Sequence, residues 1–152
     1  MKGLLKWPLI VAAIVVVARV AIERLHGPHW MSAATSAVAF TVLIGPVYFA
    51  LKISADKLPR PYSTHFKATA LYSVLVRAML LPVYWLAFFY GWQDPRFVIP
   101  EWVPPTPFAG YVGVPLVTAA FWILASVIVG GGIGALIIAL RRPSNSTPLP
   151  QS

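Results

Sequence analysis

There is no cysteine among the 152 residues of the chain. Disulfides, thiolate metal sites, thiol nucleophiles and haem attachment through CxxCH are therefore excluded, and nothing about redox compartment can be read. Acidic residues are scarce as well, 4 against 12 Lys and Arg. Asp56, Asp94 and Glu101 fall in polar links and Glu23 at the end of an apolar run. No buried carboxylate pair exists for acid–base work, and intramembrane proton coupling lacks its usual acid. Of the three histidines, His26 and His29 share the short turn LHGPHW, while His65 lies far along the chain. They read as interfacial residues rather than facing haem ligands, and His26, His29 and Glu23 make at most a weak metal set. No cofactor and no metal is expected.

What fills the chain instead is apolar. Hydrophobic residues make up 59% and charged ones 11%, against roughly 45–50% and about 25% in a soluble domain. This is the composition of an integral membrane protein. Four apolar runs are expected to span, at about residues 4–22, 32–53, 67–91 and 111–140. Each is near or above the ~20 residues a helix needs to cross. All are too long and too uniformly apolar for barrel strands, so the expected fold is an all-α bundle of four transmembrane helices. One transmembrane domain over residues 1–142 leaves no room in this length for a separate soluble catalytic domain. The polar, proline-rich residues 143–152 are expected to be disordered unless a partner binds them. Residues 1–22 begin like a signal peptide, yet the run is too long for one and no small-residue cleavage site follows, so it reads as an uncleaved first helix.

The charges are sorted by side. Lys2, Lys6, Lys52, Lys57, Arg60, Lys67, Arg141 and Arg142, against Asp56 alone, flank one set of span ends, whereas Arg24 and Arg96 face Glu23, Asp94 and Glu101 at the other. The basic ends are expected to be cytoplasmic, which places both termini there, in what reads as a bacterial cytoplasmic (inner) membrane. Orientation and attraction to anionic lipid heads account for the basic residues, so nucleic acid is not an expected partner.

Within the third run, ATALYSVLVRAMLLPVYWLAFFY places Arg77 at mid-depth with no acid at a comparable level. An uncompensated guanidinium there costs between about 3 and more than 10 kcal/mol, so something must solvate it. Pro46 and Pro82 each remove a helical hydrogen bond and release the carbonyls of Val42 and Ala78. At 1.5 Å per residue Val42 and Arg77 share a level about 15 Å deep, so the Val42 carbonyl is the expected solvating group, helped by Thr41, Ser73 and Tyr84. Arg77 then serves as a helix clamp, as a contact for a partner subunit, or as an anion site. Arg19 and Glu23, four apart near the end of the first run, read as an ordinary helix pair that snorkels.

In the fourth run Ser126, Gly130 and Gly134 recur every four residues and form a stripe for close helix packing, within the chain or against another. Ser32, Ala33, Ser36 and Ala37 repeat the signal weakly in the second run. The link QDPRFVIPEWVPPTPFAG, rich in proline, carries Phe97, Trp102 and Phe108 and reads as an interfacial aromatic loop or a docking surface. The segments IGPVYFAL and LLPVYWLA resemble each other around their prolines, which hints at a local two-fold relation.

Three functions fit these residues. The first is a non-enzymatic membrane subunit that docks in, assembles or stabilises a larger complex. The second is a small oligomeric transporter or channel reading an anion at Arg77. The third is a membrane enzyme acting on a lipid or apolar substrate. Expected partners are membrane lipid and either other membrane subunits or further copies of the chain.

Overall fold

The computed structural model of the chain describes residues 2–25, 35–92 and 106–141. Among these residues there is no strand. Four helices are long and apolar enough to cross a membrane: α1 (Lys2–Arg24), α2 (Ala37–Ala55), α3 (Pro61–Phe89) and α4 (Ala109–Arg141). His26, His29, Ser32, Ala33, Phe97, Trp102 and the tail 143–152 lie outside the described residues.

Helix ends follow local chemistry more closely than hydropathy. α3 starts at Pro61, well before its apolar run, because a proline at the first helical position has its φ preset and needs no N–H partner. α2 starts at Ala37, after Ser36 in an extended conformation. The turn between them is tight. The Leu58 N–H donates to the Ile53 carbonyl at 3.2 Å across Lys57, which is left-handed at φ 48, and Leu58 packs onto the core that contains Ile53. That is a Schellman closure with lysine where glycine is usual. Arg60, at φ 51, then leads into α3, where the Thr64 N–H donates to the Arg60 carbonyl at 3.0 Å.

Prolines inside the runs have unequal effects. Before Pro46 the chain widens into a π turn, Phe40–Ile44, in which the Gly45 N–H reaches back five residues to the Phe40 carbonyl. Before Pro115 the same happens over Ala109–Gly113, with the Val114 N–H bonded to the Ala109 carbonyl. The wide turn accommodates the ring and its missing donor. A third π turn, Ser126–Gly130, contains no proline; there the Ser126 hydroxyl donates to the Trp122 carbonyl at 2.7 Å and opens the helix locally. Pro82 by contrast sits on an exposed face of an uninterrupted α-helix, as does Ala78. Pro46 is buried. The likeness of IGPVYFAL and LLPVYWLA therefore does not extend to equivalent surroundings.

The main core lies toward the α2–α3 turn. Leu5 and Ala12 of α1 pack there with Phe49 and Ile53 of α2, Tyr72 and Val76 of α3 and Ile138 of α4, with Phe49 edge-on to Tyr72 at 5.4 Å. A smaller cluster of Val16, Ala37 and Leu80 lies toward the other end. That end is clasped by the Trp85 Nε1–H donating to the Tyr111 carbonyl at 2.8 Å, by Phe88 against Tyr111, and by the Arg24 guanidinium 4.0 Å above the Trp92 ring. Outward faces remain apolar: Ile14, Val17 and Ile128 are 63%, 69% and 70% exposed. A surface of this kind suits hydrocarbon and not water.

Candidate functional site

Arg77 lies between two of the π turns and is 6% exposed. One Nη2–H donates to the Thr41 hydroxyl at 3.3 Å, a long contact, while the buried Nε has no protein partner. The Thr41 hydroxyl is already engaged, donating to the Ala37 carbonyl at 2.9 Å, and can accept from Arg77 only because of that orientation. The guanidinium also stands 5.7 Å from the centre of the Trp122 ring, at the edge of cation–π range. No carboxylate meets it among the described residues.

A cavity of about 200 Å³ opens beside this group, lined by Arg19, Ser36, Arg77, Leu80, Tyr84 and Trp122 among others. Arg19 brings a second guanidinium to the same space. Its Nε donates to Glu23 Oε1 at 3.0 Å, with the two side chains 20% and 12% exposed, so this pair is mostly buried and not a snorkelling surface contact. Tyr84 lies within electrostatic reach of both arginines and pairs with the side chain of Thr118. Arg19 with Glu23 is neutral overall; Arg77 remains a net positive charge facing the cavity. Two guanidiniums, a phenol and a serine around so small a volume can grip a carboxylate, a phosphate or a polarised carbonyl.

The structure gathers some of the expected residues and separates others. Arg77, Thr41 and Tyr84 come together. Ser73 is fully buried one turn before Arg77, and its hydroxyl has no hydrogen-bond partner. The Val42 carbonyl lies elsewhere: a Cβ placed on Gly130 would stand 2.5 Å from its oxygen and equally close to the Pro46 ring. The π turn rotates that carbonyl toward α4, so the hydroxyl of the neighbouring Thr41 serves Arg77 instead. Phe108, at the start of α4, is 72% exposed.

The stripe on α4 is occupied within the chain. Gly130 admits Pro46 and the α2 backbone, Gly134 admits the His65 imidazole, and Ser126 is fully buried. His65 is thus covered by α4 and not open at a surface. It is 0% exposed, with its ring against Gly134 and the carbonyls of Gly130 and Gly131 nearby but outside hydrogen-bonding geometry. Gly132 alone of this group faces open space.

Arg19 and Trp122 are the site residues that sequence reasoning did not place. A signal for Arg19 existed, because Leu4, Leu5, Ala12 and Val16 are the buried positions of α1 and Arg19 continues the spacing of Leu5, Ala12 and Val16 in threes and fours. No protein-family model, curated protein or solved structure matches the chain.

Proposed function

We propose that the chain is an integral membrane protein, with both termini cytoplasmic, that binds an anionic group in the Arg77–Arg19 cavity as the recognition site of a small transporter. The observation that carries this reading is a nearly fully buried guanidinium whose described partners are one neutral hydroxyl and an aromatic face. A structural clamp is expected to satisfy its donors on carbonyls, whereas Arg77 leaves its buried Nε without a partner and lines a cavity with its net charge. A volume of 200 Å³ is below the 300–1,000 Å³ of drug-sized pockets, which fits a small anion or the acidic head of an amphiphile. The positive-inside bias of the links supports the orientation.

Reconstitution into liposomes tests the proposal. Uptake of small inorganic anions and short-chain carboxylates is measured for the wild type, Arg77→Lys and Arg77→Gln. A selectivity residue requires flux to fall at least about tenfold in Arg77→Gln at unchanged fold, since losing a charge-assisted hydrogen bond costs about 1.5–3 kcal/mol. Equal flux in all three sinks the proposal.

The accessory-subunit reading keeps one observation in its favour, the open Gly132 on an outward face rich in exposed apolar side chains. Gentle solubilisation from the native membrane separates the two: foreign subunits in fixed stoichiometry favour docking, and copies of this chain alone favour the transporter.

A further inference from the structure

At the opposite end from Arg77, a cavity of about 360 Å³ opens between the α2–α3 turn and the end of α4. Its walls divide into two kinds. Ile53, Leu58, Pro61 and Ile138 are apolar, while Lys57, Arg141 and Ser54 bring two cations and a hydroxyl. The Ser54 hydroxyl is buried without a partner, although serine in a helix can ordinarily bond the carbonyl one turn back. The acid nearest in sequence does not neutralise the cations, because Asp56 is held by Lys52 at 3.1 Å.

The backbone adds an independent observation. Lys57 occupies the left-handed closing position of the α2 turn, at φ 48, where glycine carries no steric penalty and lysine does. A strained residue that retains a charged side chain at a cavity mouth points to a use for that side chain.

We infer that this cavity is a headgroup site for an anionic phospholipid, with Lys57 and Arg141 on the phosphate, Ser54 rotating its buried hydroxyl to donate to one of its oxygens, and the apolar wall against the glycerol and upper acyl chain. The amphipathic lining favours a lipid over a free phosphate, because Ile53, Leu58, Pro61 and Ile138 would contribute nothing to an inorganic ion. The site is distinct from the Arg77 cavity and does not depend on what binds there; it rests only on placement of the chain in a membrane.

The test uses the full chain in mild detergent and measures phosphatidylglycerol and phosphatidylcholine binding by native mass spectrometry, with inorganic phosphate as competitor. The expected result is saturable binding of phosphatidylglycerol, at least tenfold tighter than phosphatidylcholine, that is not displaced by millimolar inorganic phosphate. Lys57→Gly removes the charge and the strain together. It is expected to unfold no more readily than the wild type and to bind phosphatidylglycerol at least tenfold more weakly. Lys67→Gln makes the same change in net charge toward the same end, at an exposed position outside the cavity lining, and is expected to alter binding less than twofold. Arg141→Gln and Ser54→Ala are expected to weaken binding while leaving the fold intact. Equal losses in Lys57→Gly and Lys67→Gln would reduce the site to diffuse surface charge and overturn the inference. Displacement by inorganic phosphate would overturn the lipid assignment, and undiminished binding in Lys57→Gly would overturn the role of Lys57.

Discussion

Arg77 retains its charge in a place where a neutral side chain of similar length would cost less, and this sets a direction for its substitution. If the guanidinium clamps helices, removing it destabilises the protein by about 3–5 kcal/mol, as for any broken buried charge contact. If it waits for an anion, the ligand-free protein gains. We expect Arg77→Gln to raise stability without ligand by about 1–3 kcal/mol, measured by unfolding in mixed micelles, while abolishing stabilisation by added anions. At Gly134 the neighbour is a ring and not a backbone. Gly134→Ala is expected to cost about 1–3 kcal/mol from overpacking against His65. Combined with His65→Ala it is expected to cost less than the two single changes together by about 1 kcal/mol or more, which a double-mutant cycle reads directly. The pairing of Arg77 with Thr41 was legible in the sequence, because it depends on position along two apolar runs. Its cavity partners were not. Glu23, four residues on, gave Arg19 an ordinary explanation, and Trp122 reaches the site only once α4 is placed against α3.

The helices illustrate how much a proline's effect depends on the face it occupies. Pro46 is buried against Gly130 behind a π turn, whereas Pro82 is exposed in a continuous helix. Pro46→Ala is expected to destabilise by about 1–2 kcal/mol through lost contact with α4. Pro82→Ala regains a backbone hydrogen bond on an outward face and is expected to be neutral or stabilising. Thermal unfolding of the two variants side by side checks the contrast. Four elements of spanning length were readable because apolar runs of that length without carboxylates have few alternatives. The three π turns were not, since a proline marks where a hydrogen bond is missing but not whether the helix kinks, stops or widens. In Ser126–Gly130 there is no proline to mark the place. The glycine stripe declared a close contact; that Pro46 and His65 fill it is decided by the packing of three helices at once.

For the molecule as a whole, the proposed orientation, drawn from the distribution of charge, puts the α2–α3 turn and the end of α4 in the cytoplasm and the Trp85–Tyr111 clasp on the opposite side. The lack of native cysteine makes this open to a clean experiment. Single cysteines at Asp56 and at Gly91 are expected to react with a membrane-impermeant maleimide from opposite sides of intact cells. In this arrangement Asp56 is labelled only after permeabilisation and Gly91 before it. The two cavities then open toward different leaflets, the lipid site near the cytoplasmic heads and the Arg77 cavity toward the far half.

The π turns carry one consequence for how this chain tolerates length change. Each residue of a helix turns the chain by about 100°, so a wide turn acts as a one-residue phase correction between the two halves of its helix. Deleting a single residue within Ser126–Gly130 would leave α4 as apolar and still long enough to cross. It would let the wide turn close to a regular α turn and keep both Gly134 on His65 and Trp122 on Arg77. The same deletion in the regular helix between Gly131 and Gly134 has no wide turn to absorb it and would swing Gly134 away from His65. In this protein the face that each half-helix presents is thus encoded by residue number as much as by residue type.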